Sequence, residues 1–166
     1  MADADERESM RSLMYTLLVG LCLIATHSGA QPDVIKVTPA DRQWTPFQVF
    51  GRGAQMTLVR GHPLKPGLFV ILVRVPANTQ LPVHTHPVEH VLTVLSGTYF
   101  SGLGDKMDLH NVRVMPSGSV FNVPAQMPHY AEARSEEVLL QVIGIGPTAT
   151  QFLNPAEDPR PKPAVK

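Results

Sequence analysis

The sequence predicts an all-β fold, a single antiparallel β-barrel or jelly roll. Three observations carry this expectation. Sixteen prolines and twelve glycines punctuate 166 residues, a density that suits short strands joined by tight turns. Eight or more short runs rich in apolar and β-branched residues lie between those breaks. No stretch of useful length repeats the 3.6-residue apolar period of a helix. Antiparallel strands in that number protect their edges by closing into a barrel or a jelly roll. Aromatic residues are 6% of the chain, so the core must rest on Val, Leu, Ile and Met.

Residues 1–30 read as a secretory signal peptide. Leu13 to Ala25 form an apolar run too short to span a bilayer comfortably. Arg11 precedes it, and Ser28-Gly29-Ala30 places small residues at −3 and −1 of a cleavage site before Gln31. Asp3, Asp5, Glu6 and Glu8 run against the usual positive start, so Met10 is the expected initiator. Cleavage would leave an exported protein, periplasmic or secreted, with no membrane anchor. Cys22 lies in the apolar run, and Leu21 before it is too large for a lipidation site. From Gln31 onward there is no cysteine, hence no disulfide and no thiolate ligand. That part holds twelve Lys and Arg against ten Asp and Glu, a formal +2. So weak a field offers nothing to nucleic acid.

The barrel is expected over 31–153. Trp44-Thr45-Pro46-Phe47 is the anchor of the lead-in. Ala54 to Val59 reads as a strand, and Gly61 to Gly67 as a turn-rich loop. Leu68 to Val75 reads as a buried strand, broken by Pro76-Ala77-Asn78, where Asn78 tolerates positive φ. Val83 to Leu95 reads as one strand ending at Ser96-Gly97. Thr98 to Gly102, Val112 to Met115, Val120 to Val123, His129 to Glu132 and Val138 to Ile145 complete the set. Residues 154–166 carry Pro155, Pro159, Pro161 and Pro163, which suit neither helix nor central strand, so a mobile tail is expected.

The chemistry gathers at His84-Thr85-His86 and His90. These three share parity, so on one strand their imidazoles would line one face. Imidazole is the commonest ligand for zinc, copper, iron and nickel. A metal site inside the barrel is therefore expected. His62 and His110 lie in turn-rich segments and read as solvent-facing. Asp105 and Asp108 lack the oxygen set of a calcium loop. The scattered Met107, Met115 and Met127 read as core filler.

Two spaced patterns resemble the motifs of the cupin superfamily. The first is a Gly, five residues, His-x-His, three or four residues, Glu, six residues, Gly. Here it reads Asn78, His84-Thr85-His86, His90, Gly97. The second is a Gly, five residues, Pro-x-Gly, two residues, His, three residues, Asn. Here it reads Gly118, Pro124-Ala125-Gln126, His129, Ala133. The strings Thr93 to Thr98 and Asn154 to Arg160 resemble a subgroup of small, single-domain, often exported bacterial cupins.

The resemblance implies a double-stranded β-helix, the cupin jelly roll. It implies a divalent transition metal (Fe, Zn, Cu or Ni) held by His84, His86, His90 and His129. His129 would reach the metal from a strand across the barrel. His90 stands where the family has its metal-binding Glu. Spacing and parity put His90 there, while a one-residue bulge would turn Glu89 inward instead. Glu89 could otherwise support a ligand histidine, and Tyr130 could face the opening as a proton donor. Leu72, Leu92, Val94, Tyr130 and Gln141 are the candidates to line the cavity.

Such a site implies a small-molecule ligand or substrate, and the family implies a homodimer. A metal-dependent, dioxygenase-like enzyme leads the functional expectation. A non-catalytic binding or sensing protein and a metal-dependent isomerase or lyase stand beside it, because one fold hosts many reactions.

Overall fold

The computed structural model describes residues 34–162. The expected signal peptide, Met10, Cys22 and the last four residues lie outside the described residues. Backbone contacts divide the chain into Met1–Val34 and Ile35–Lys166, and the barrel belongs to the second unit.

Eleven strands occur among the described residues: β1 Thr45–Pro46, β2 Gln55–Arg60, β3 Gly67–Val75, β4 Thr79–Thr85, β5 His90–Ser96, β6 Thr98–Leu103, β7 Arg113–Pro116, β8 Val120–Val123, β9 His129–Ala133, β10 Val138–Gly146 and β11 Gln151–Phe152. They form two antiparallel sheets, in the orders β1-β2-β3-β10-β5-β8 and β11-β4-β9-β6-β7. Inward residues of both sheets make one core. Phe69, Ile71 and Val73 of β3 meet Leu140 and Val142 of β10, Val94 of β5, and Tyr99 and Ala131 from the other sheet. Phe69 is 1% exposed, and truncating so buried a ring costs about 3–5 kcal/mol.

The segment expected as one strand from Val83 to Leu95 is two strands in different sheets. β4 ends at Thr85 and β5 starts at His90. Pro87 has no N–H to give a ladder, and the chain uses residues 86–89 to cross between the sheets. The same-strand parity expected for His84, His86 and His90 therefore does not exist. A second irregularity lies inside β4. Its pairing with β9 shifts between Leu81, opposite Ala131, and His84, opposite His129. One extra residue is taken up around Pro82-Val83, as in a β-bulge.

Two departures from the motif glycines keep the glycine conformation. Asn78 has φ 59° and Gln126 has φ 62°. Residues 154–162, expected as part of a mobile tail, carry turns and side-chain contacts. Asn154 Nδ2 donates to Glu157 Oε1 at 2.9 Å, and the Arg160 guanidinium lies 5.3 Å from the centre of the Phe152 ring.

Candidate metal centre

His84, His86 and His129 each offer one ring nitrogen within 4.8 Å of the others. Their second nitrogens explain the arrangement. His84 Nδ1 lies 2.8 Å from the Pro82 carbonyl, His86 Nδ1 2.9 Å from that of Ala149, and His129 Nδ1 2.8 Å from that of Met127. A carbonyl oxygen only accepts, so each Nδ1 must carry its proton and donate it. Each Nε2 then keeps a free lone pair, the tautomer that metal-binding histidines require.

The fold places them by three different routes. The bulge in β4 sets His84 opposite His129, with ring centres 4.0 Å apart. His86 stands just past β4, where its carbonyl accepts from the Gln126 N–H at 2.7 Å. His90 comes from the other sheet and lies tilted against His86, with ring centres 4.2 Å apart. Thus His129, expected across the barrel, is the in-sheet neighbour of His84, and His90 is the ligand candidate that reaches over from the facing sheet.

His90 differs in its bonding. Its Nε2 lies 3.1 Å from the Thr148 hydroxyl, and Phe69 meets it edge-on at 5.7 Å. Burial is the main cause that pushes all four imidazoles down from their ordinary pKa. His86 falls to about 3 and His90 to about 4; His84 and His129 shift the same way. Neighbouring imidazoles add to the shifts of His84, His86 and His90. The four are neutral at pH 7, and neutral imidazole is the form that binds metal.

Glu89 is exposed. No bulge turns it inward: β5 runs in register with β8 from His90 opposite Val123, and the Glu89 carboxylate accepts from Asn122 Nδ2 at 3.0 Å. It supports no histidine. Tyr130 also faces away from the opening. Its hydroxyl donates to the Asp108 carbonyl at 3.0 Å, and its ring covers Gly102, where an added Cβ would sit 2.1 Å from it. Strand alternation is the reason: His129 points inward, so Tyr130 points out. His110 is exposed and His62 half-buried, and neither belongs to the cluster.

A cavity of about 230 Å³ opens beneath the imidazoles. Of the expected lining residues only Leu92 is there. Leu72 and Gln141 lie on the outer faces of β3 and β10, whose inward residues are Phe69, Ile71, Leu140 and Val142. Val94 is wholly buried in the core. The sequence reading missed Tyr99, Ser101, Thr148 and Arg160, all of which line the cavity. Alternation along Thr98 to Gly102 separates Tyr99 and Ser101 from Phe100, and that signal was available. Nothing local marks Thr148 or Arg160, which arrive by long-range packing.

A family model described as a cupin domain matches residues 71–145. That stretch is a cupin domain. Among solved structures, it resembles the polyketide cyclase RemF from Streptomyces resistomycificus, with TM-score 0.64, 18% identity, and coverage of 76% of this chain and 90% of that one. It resembles an RmlC-like cupin protein from Ralstonia eutropha JMP134, with TM-score 0.54, 18% identity, and coverage of 70% and 69%. It also resembles the DMSP lyase DddQ from Ruegeria pomeroyi DSS-3, with TM-score 0.56, 19% identity, and coverage of 76% and 74%. At such identities these likenesses speak for the cupin fold alone. No curated protein matches the chain in sequence.

Proposed function

We propose that this cupin is a metal-dependent enzyme, dioxygenase-like, acting on a small organic molecule lodged in the barrel. One observation carries the reading. Three imidazoles, each tied through Nδ1 to a backbone carbonyl and so left with a free Nε2, bring one ring nitrogen each within 4.8 Å of the others beside an apolar cavity. His84, His86 and His129 would hold the ion, which reaches nitrogen at about 2.0–2.1 Å. His90 stands beside them, held by Thr148.

All these groups are neutral, so a divalent ion would keep its full charge, and the donor set suits Fe, Zn, Cu or Ni. When bound, such an ion would supply a Lewis-acidic centre, and as iron or copper a redox-active one. The chain's own residues do the rest. The apolar wall excludes water and packs the body of the substrate, and the Thr148 hydroxyl holds the His90 ring in place. The export pattern at 1–30 supports a site of action outside the cytoplasm.

Elemental analysis of tag-free protein tests the metal. About one ion per chain is expected, and a metal content near zero would sink the reading. Oxygen uptake by iron-loaded protein then separates dioxygenase-like chemistry from Lewis-acid isomerase or lyase chemistry. No uptake with any small aromatic or enolic compound leaves the latter and a non-catalytic binding or sensing role.

A further inference from the structure

The cavity has a second polar end. Leu103 of β6 is paired with His129, and Tyr99 with Ala133. Tyr99 therefore lies four residues further along the strand, about 13 Å from the histidine tier at 3.3 Å per residue. It is 3% exposed and stacks on Phe121 with ring centres 6.2 Å apart. Among the described residues no hydrogen bond involves its hydroxyl, and the hydroxyl is not a fully buried atom either, so it keeps accessible surface on a residue that lines the cavity. The hydroxyl of so buried a ring ordinarily finds a partner. Burial pushes its pKa up, so the group is a neutral phenol with a proton to donate. The one formally charged side chain among the cavity-lining residues is Arg160. It sits over Phe152, on the histidine side, and is paired with Asp158. The deep end thus offers a donor and no cation.

Size adds a second constraint. An apolar cavity of about 150 Å³ takes up benzene, so about 230 Å³ holds one substituted ring or an aliphatic body of that size.

We propose that Tyr99 is the deep polar anchor of this cavity. It donates a hydrogen bond to a neutral oxygen, a carbonyl or ether, on a ring-sized ligand whose opposite end meets the His84, His86 and His129 tier. A carboxylate at the deep end is disfavoured, because one phenol donor without a cation does not offset its desolvation. The inference rests on reading the cavity as the substrate site, but not on the identity or presence of the metal.

The test uses two probes that differ in one carbonyl, 4-hydroxyacetophenone and 4-ethylphenol. Their binding is measured by calorimetry on the full chain as purified, with metal content recorded in parallel. The wild-type protein should prefer the ketone by about five- to tenfold, one hydrogen bond's worth. In Tyr99→Phe that preference should vanish while 4-ethylphenol binds within twofold of wild type, which also reports an intact fold. Ser101→Ala should keep the preference. The anchor is overturned if wild type shows no preference, if Tyr99→Phe keeps it, or if Ser101→Ala abolishes it. The size limit fails if a two-ring analogue binds as tightly as the one-ring ketone. A preference that passes in protein without metal would leave the anchor standing and remove only the metal reading.

Discussion

His84 lies directly opposite His129 in the β4–β9 ladder, with ring centres 4.0 Å apart, because β4 takes up one extra residue after Leu81. Without that residue, the register of Leu81 with Ala131 would carry His84 past His129 and turn it to the other face. Two of the three convergent imidazoles therefore depend on a local irregularity centred on Pro82-Val83.

The first prediction concerns which histidines hold metal. His84→Ala, His86→Ala and His129→Ala should each weaken zinc binding more than a hundredfold in competition with a chromophoric chelator. His90→Ala should weaken it tenfold or less, since its Nε2 faces Thr148. Glu89→Gln should leave affinity unchanged, since that carboxylate pairs with Asn122. A His90→Ala loss as large as that of His84→Ala would make His90 a full ligand.

Acid should destabilise the metal-free barrel. The folded pKa values of His86 and His90 are lowered by burial to about 3 and about 4, below the ordinary 6.5 of an unfolded histidine. Above pH 6.5 both states are neutral, and these groups contribute no pH dependence. As pH falls from about 6.5 toward 4, the unfolded chain binds protons that the folded barrel refuses, so stability falls. Urea midpoints of chelator-treated protein should drop steadily across that window. A flat profile between pH 6.5 and 4.5 would contradict it.

Tyr130 should act as a structural residue only. Tyr130→Phe removes the bond to the Asp108 carbonyl and should cost about 1 kcal/mol in chemical denaturation, with metal content unchanged. Gly102→Ala should cost more, about 1–3 kcal/mol, by overpacking, because the new Cβ would meet the Tyr130 ring at 2.1 Å. Metal loss in Tyr130→Phe at full stability would return Tyr130 to the site.

Gln126 stores backbone strain beside the centre. At φ 62° a residue with a Cβ pays about 1–2 kcal/mol, and glycine pays none. After glycine's own entropic cost, Gln126→Gly should stabilise the protein by about 0.5–1 kcal/mol, read as a higher denaturant midpoint at constant slope. The N–H that bonds the His86 carbonyl survives the change. A lower midpoint would show that the Gln126 side chain does more than occupy the turn.

Local pattern determined a great deal in this chain. Turn residues and β-branched runs marked most of the strands, and the motif spacings pointed to the cupin barrel. The residue types His84, His86, His90 and His129 named the cluster. What local pattern missed has one physical source. Side-chain direction in a strand follows parity only while register is unbroken. The bulge in β4 and the crossing at residues 86–89 both break it. Only the tertiary structure could therefore decide that His84 and His90 sit in different sheets, that His129 is the neighbour of His84, and that Glu89 and Tyr130 face away. The same holds for Thr148 and Arg160, which reach the cavity through contacts distant in sequence. Tyr99 is the intermediate case: alternation alone could point it inward, but only the closed barrel makes it part of the wall of a ring-sized cavity.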